Sequence, residues 1–250
     1  MRSAETATSP AQPPARPVRD PSRMRRLLRA LSTVLIVAGV LMIADAGVTL
    51  AWQEPISALL ARIQQDKLSG QLDRIERSAP TPVERRVLAA LATQRRRIEF
   101  LAREARRTAR TGDPIGRIDI PKIGASFVVV QGTDTASLRK GPGHYPDTTF
   151  PGLGGTVAIA GHRTTYLAPF HDVNELKVGD RIVLTMPYAR FEYAVQRTQV
   201  VLPTALWITR DVGYERLVLS ACHPLYSASH RIVVFARMTR VTARGAALRG

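Results

Sequence analysis

Residues 216–238 read RLVLSACHPLYSASHRIVVFARM. Two apolar runs, Leu217-Val218-Leu219-Ser220-Ala221 and Ile232-Val233-Val234-Phe235, flank a polar connection. That connection starts with His223-Pro224, a strand-breaking pair, and ends with Ser229-His230-Arg231. Short β-branched runs bounded by turn residues predict strands. The chain is therefore expected to rise to Cys222, loop, and return antiparallel. Arg231, nine residues after the cysteine, would then stand beside the thiol.

The same texture extends upstream. It begins at Thr111-Gly112-Asp113-Pro114, where helix formers give way to short β-branched segments and turn residues. Further strands are expected at Gly116–Ile120, Ser126–Gln131, Thr156–Ala160, Arg181–Thr185 and Phe191–Val201, with Pro187-Tyr188-Ala189 as a hairpin connection. Thr135–Leu138 and Asp172–Leu176 suit short helices. Several short strands at this spacing indicate a mainly β domain, a barrel or sandwich of about 130 residues. Its expected limits are residues 112–240, leaving 241–250 as a tail.

Residues 53–111 have a different composition, rich in Leu, Ala, Arg, Gln and Glu. Leu59, Ile63, Leu68, Leu72 and Ile75 follow helical spacing. Ala79-Pro80-Thr81-Pro82 interrupts it. A second helix is expected to restart with Thr81 as N-cap, Pro82 in the first turn and Glu84 completing a capping box. Val87, Leu91, Gln94, Ile98, Leu101 and Ala105 continue it as a heptad-like seam. This is an Arg-rich helical stalk. Its seam suits packing on itself, on the following domain, or on a second copy of the chain as a homodimer.

Residues 30–52 form a mostly apolar run of about 23 residues, enough to cross the hydrocarbon of a bilayer. Trp52 stands at its end as an interfacial aromatic. Arg23, Arg25, Arg26 and Arg29 precede it, whereas only Arg62 and Lys67 lie in the twenty residues after it. The positive-inside rule then puts residues 1–29, a disordered basic tail, in the cytoplasm and the remainder outside. Asp45 is costly in lipid. An uncleaved anchor is expected because the apolar run resumes at Val48 and Leu50; cleavage at Ala44-Asp45-Ala46 is the competing reading.

The chain has 250 residues and a formal charge of +16, from 36 basic and 20 acidic residues. That balance alone invites nucleic acid, an anionic membrane or an acidic polymer. Its distribution argues against nucleic acid. About +5 lies in the tail, about +6 in the stalk and about +6 in the β domain, with no basic face on a recognisable DNA-binding motif. With hydrophobic residues at 45%, there is enough apolar material for a core. The single cysteine excludes an internal disulfide and a Cys-rich zinc site. No cofactor or metal site is expected from the scattered histidines.

Three groups carry chemistry. Cys222 ends one strand. His162 follows another, Thr156-Val157-Ala158-Ile159-Ala160-Gly161, where an imidazole can act as acid or base. Arg231 opens a third, and its guanidinium stays cationic and can stabilise an oxyanion. A thiol, an imidazole and a guanidinium at three strand ends suit peptide-bond transfer. A lone cysteine is more often a small buried hydrophobe. His223 is expected on the face opposite Cys222, and His144, His171 and His230 read as structural, loop or surface residues.

The domain resembles the sortases, cysteine transpeptidases of the bacterial surface. The runs that carry the resemblance are Ile118-Asp119-Ile120-Pro121-Lys122-Ile123, Gly141-Pro142-Gly143-His144-Tyr145-Pro146, Ala160-Gly161-His162-Arg163-Thr164-Thr165-Tyr166, Leu219-Ser220-Ala221-Cys222-His223-Pro224, and Arg231. The His and Cys runs most resemble class E members of high-GC Gram-positive bacteria. The resemblance implies a closed eight-stranded β-barrel, with Cys222 as nucleophile, His162 as acid/base and Arg231 as clamp. It implies cleavage of an LPxTG- or LAxTG-like sorting signal on surface proteins, and transfer to an amino group of a peptidoglycan precursor or a pilin. Tyr166 and Ala221 are the substrate-binding candidates. Ala221 departs from the Thr common in the family, which bears on substrate choice. A non-catalytic barrel that binds wall polymer is the alternative, and hydrolysis of the thioester by water another.

Overall fold

The computed structural model describes residues 21–51 and 55–248. The expected tail up to residue 20, Trp52 at the expected membrane interface, and residues 249–250 lie outside the described residues. The chain divides into two compact units between Val48 and Thr49.

The described part of the first unit is helical, and its helix, α1 (Pro21–Ala51), ends three residues past the boundary. Residues 24–45 have a mean hydropathy of 2.3 and none of this stretch is buried. At 1.5 Å per residue it spans roughly 33 Å, long enough to cross a bilayer. The helix starts earlier than expected. Residues 21–29 belong to it and not to the tail, because Pro is tolerated in a first helical turn and Met24, Leu27 and Leu28 favour helix.

In the second unit, eight strands close a barrel: β1 (Pro114–Ile120), β2 (Ala125–Gln131), β3 (Gly143–His144), β4 (Thr156–Ala160), β5 (Arg181–Thr185), β6 (Ala189–Val201), β7 (Arg216–His223) and β8 (His230–Ala243). Around the barrel the order is β1-β2-β3-β4-β7-β8-β6-β5. The seven strands read from sequence are present, and β6 starts at Ala189, where Met186 N–H bonds the Ala189 carbonyl to close the hairpin. The eighth, β3, has only two residues and escapes any periodicity argument. It pairs in parallel with β2 and antiparallel with β4.

Alternation sorts the side chains. Val157, Ile159, Leu217, Leu219, Ala221, Ile232, Val234 and Ala236 share the barrel's main core, whereas Ala158, Val218, Val233 and Phe235 form a separate outer cluster. Residues 241–248 are part of the fold and not a tail. β8 runs to Ala243, and Ala247, in a closing 3-10 turn, is buried in the main core.

The segment expected as a stalk is built against the barrel as α2 (Pro55–Arg77), α3 (Pro82–Ala90) and α4 (Gln94–Thr108), with a short α5 (Thr135–Leu138) later. Leu68 and Leu72 of α2 pack with Val128 and Val130. Gln65 of α2 acts as an extra pairing partner for β2: its amide donates to the Val128 carbonyl (3.1 Å) and its Oε1 accepts from Val128 N–H (2.7 Å). The capping box of Thr81 and Glu84 forms as expected. The heptad seam does not run through one helix. Leu91 is extended, and the Thr93 side chain accepts from Arg96 N–H to begin α4. A new cap satisfies one of the freed N–H groups, that of Arg96, and Ile98 and Ala102 turn into the main core. Arg95, Arg103 and Arg107 face outward and pair with Glu99 and Glu104 of their own helix.

Candidate active site

Strand register assembles the site. β4 and β7 are parallel, with Ala160 opposite Ser220, and Gly161 N–H donates to the Ser220 carbonyl at 3.0 Å. His162 and Cys222 therefore each lie two residues beyond a matched pair, leaving the same end of the barrel. β7 and β8 are antiparallel with Cys222 opposite Arg231. Directly opposed residues project to the same face, with Cα atoms about 4.5–5.5 Å apart. Leu217, Leu219 and Ala221 face the main core, so alternation puts Cys222 on the outer face, with Arg231 across from it. The three candidate reactive residues are brought to one rim.

Each has a defined environment. Cys222 is partly exposed and is a free thiol. His162 is half-buried, and its Nε2 is buried with no hydrogen-bond partner among the described residues. Burial, and secondarily the Arg139 cation, hold its pKa below the ordinary histidine value. A neutral imidazole with an uncommitted nitrogen can accept a proton. Among the described residues Arg231 is held through Nη1, which donates to the carbonyls of Ala228 (3.0 Å) and His230 (2.9 Å).

Tyr166 leans on His162, with ring centroids 5.1 Å apart, and the guanidinium of Arg139, at the end of α5, lies 5.9 Å from the Tyr166 ring centre. Ala221 is 3% exposed and its side chain belongs to the main core, so the methyl packs inward and only the backbone of this residue is left to the rim where Cys222 lies. His144 is buried on β3, with Nδ1 2.9 Å from Gln131 Oε1 and Nε2 3.0 Å from the Thr149 carbonyl. His171 does more than line a loop: its Nδ1 donates to the Arg163 carbonyl at 2.6 Å. No group of three potential metal ligands converges among the described residues.

Arg139, Arg163 and Asn174 are the residues near this rim that the sequence alone did not single out. Arg163 follows His162 within the quoted His run, and that adjacency was its only signal. Arg139 and Asn174 carry none, because their approach depends on where α5 and the loop after β4 settle.

A family model described as "Sortase domain" matches residues 118–239. Sortase D of Bacillus subtilis is 35% identical over 136 residues, 53% of this chain and 66% of that protein. Sortase A of Bacillus anthracis is 31% identical over 121 residues, 48% of this chain and 57% of that protein. The chain thus spans less than two thirds of the length of either curated relative. Among solved structures, sortase E1 of Streptomyces coelicolor, crystallised with a tripeptide in its active site, is 25% identical with a TM-score of 0.52, covering 53% of this chain and 91% of that one. With a closed eight-stranded barrel and a matching domain over both the His and Cys strands, the chain belongs to the sortase family.

Proposed function

We propose that the chain is a membrane-anchored cysteine transpeptidase acting on the sorting signals of surface proteins. The carrying observation is the register that brings Cys222, His162 and Arg231 to one rim of the barrel. Sortase E1, similar to this chain, has been crystallised with a tripeptide in its active site, which favours a peptide as the substrate.

In this reading Cys222 Sγ attacks the carbonyl of the Thr–Gly bond of an LPxTG- or LAxTG-like signal. The thiol proton passes to His162, whose imidazole is neutral and has a free nitrogen. Negative charge develops on the substrate oxygen, and the Arg231 guanidinium donates to it; one guanidinium nitrogen is already tied to the loop, which fixes its direction. Collapse breaks the C–N bond. His162 returns the proton to the leaving amine, and a thioacyl-enzyme remains. An amino group of a peptidoglycan precursor or a pilin then attacks the thioester, His162 takes its proton, and the Cys222 thiol is regenerated. Tyr166, packed on His162, lines the pocket for the second signal residue.

Helix α1 serves as a single-pass anchor, with Arg25, Arg26 and Arg29 at its N-terminal end on the cytoplasmic side and the barrel outside. The anchor and the barrel together would hold the enzyme where exported substrates emerge.

The test uses the full chain in detergent with a set of sorting-signal peptides and a primary amine. Mass spectrometry should find an acyl adduct on Cys222 and an amide product, both absent in Cys222→Ala. Lack of an adduct across the set, with Cys222 still open to alkylation, would refute the transpeptidase reading and favour a binding barrel. Reporter fusions after residue 60 check the orientation.

A further inference from the structure

The loop after His162 is tied to the end of the Cys222 strand by a side chain the mechanism above does not use. Arg163 is only 4% exposed. A buried guanidinium needs its donors satisfied, and here they bridge two segments. Nε and Nη2 donate to the His171 carbonyl at 3.0 and 2.9 Å, and Nη2 also donates to Asn174 Oδ1 at 2.6 Å. On the other side, Nη1 lies 3.4 Å from the Cys222 carbonyl and 3.4 Å from His223 Nδ1.

The loop itself is closed reciprocally. His171 Nδ1 donates to the Arg163 carbonyl at 2.6 Å, and Phe170 N–H donates to the His162 carbonyl at 3.0 Å. Between these ties run Tyr166, Leu167 and Ala168, with φ of 51°, 63° and 39°. None is glycine. Left-handed backbone costs a non-glycine residue about 1–2 kcal/mol, so three in succession persist only where the surroundings over-determine them. The ties through Arg163 and His171 supply that constraint, and they hold Tyr166 against His162.

We propose that Arg163 is a positioning residue: its guanidinium fork joins the Cys222 strand end to the loop that carries His162 and Tyr166, and so sets the thiol–imidazole alignment. This inference rests on the transpeptidase reading. The fork shape matters. Lysine would keep the charge but offers one compact head on a flexible stem, and cannot span His171, Asn174 and Cys222 together. Misalignment of reacting groups by about 1 Å costs roughly 100-fold in rate. The loss should fall chiefly on turnover, because the rate depends steeply on thiol–imidazole alignment, whereas binding loses the fixed position of only one pocket wall, Tyr166.

The experiment compares wild type, Arg163→Lys, Arg163→Met and Asn174→Ala as full chains in detergent, on a peptide that acylates the wild type. Expected are falls in kcat of roughly 30–100-fold for both Arg163 variants and about 5-fold for Asn174→Ala, with KM within about three-fold. Alkylation of Cys222 by iodoacetamide, which needs no alignment with His162, should stay within about three-fold in Arg163→Lys. Retention of kcat by Arg163→Lys overturns the inference, as does a loss confined to KM, or a loss of kcat matched by equal loss of alkylation. If both Arg163 variants fail to fold, an unchanged kcat in Asn174→Ala overturns it. A wild type that forms no adduct would instead sink the transpeptidase reading.

Discussion

Acidification should weaken the barrel through one residue, His144. The side chain is 1% exposed and sits on β3, the two-residue strand that bridges β2 and β4. Burial, opposed by the contact with the Thr149 carbonyl and reinforced by the nearby Arg106 cation, lowers its pKa from 6.5 to about 4. A histidine held neutral in the fold but free to protonate when unfolded stabilises the fold at high pH. That contribution is present above 6.5 and is lost as pH falls toward 4. At 1.36 kcal/mol per pH unit the window is worth about 3 kcal/mol. For a unit of this size 1 kcal/mol moves Tm by roughly 2–4 °C, so Tm should fall by roughly 6–12 °C from this source. Other groups titrate in the same range, so the comparison is with His144→Gln, which keeps polar atoms and cannot titrate. Melting curves by near-UV circular dichroism at pH 7.5, 5.5 and 4.5 give the difference between the two proteins. The gap between wild type and variant should narrow or reverse as pH drops. A gap constant across the three pH values would refute the assignment of a buried neutral imidazole to His144.

Two other predictions follow from buried contacts. Glu215 accepts from Tyr193 Oη (3.0 Å) and from Gly152 N–H, and burial raises its pKa above the usual carboxylate value. Here the sign is opposite: its stabilising share is complete below 4.5 and is lost as pH rises through the higher folded value. Glu215→Gln should therefore gain relative to wild type as melts move from pH 4.5 to 7.5, and equal pH dependence in both proteins would contradict this. Gly161 stands between β4 and His162, and a Cβ there would lie 2.5 and 2.7 Å from ring carbons of the buried Phe170. Gly161→Ala should cost about 1–3 kcal/mol in overpacking and reduce acylation of Cys222 more than Tm, because the displaced residues adjoin His162. A Tm and acylation rate equal to wild type would show that Phe170 yields freely.

Much of this was legible in sequence because it is local. The alternation of Leu217, Leu219 and Ala221 with Val218 and Ser220 marks a strand with two faces. The capping box of Thr81 and Glu84 marks a helix start, and the apolar run after Arg29 marks a helix long enough for a membrane. Cys222 and Arg231 are joined by one short hairpin, so their pairing followed from spacing. His162 is 60 residues from Cys222, and apart from the family resemblance of the two runs only its place past a strand end hinted at a shared rim. The parallel register of Ala160 with Ser220 decided that, and parallel pairing leaves no turn in the sequence to announce it.

The rest depended on tertiary packing. A two-residue strand such as β3 has no period of its own and exists because β2 and β4 stand on either side of it. The Arg-rich helices look in sequence like a free spacer, since their outward arginines dominate the composition. Their inward residues, Leu68, Leu72, Ile98 and Ala102, find the barrel only once it has closed. Ala221 reads as a neighbour of the nucleophile, yet strand alternation turns its methyl into the core. Arg163 reads as a motif residue, and the folded loop makes it the bridge between the end of the Cys222 strand and the loop that carries His162. Sequence by itself determined which residue types stand at the strand ends, because spacing and alternation are properties of the chain. Which of those ends meet, and what holds them together, was decided by the closure of the barrel, where residues distant in sequence first share one environment.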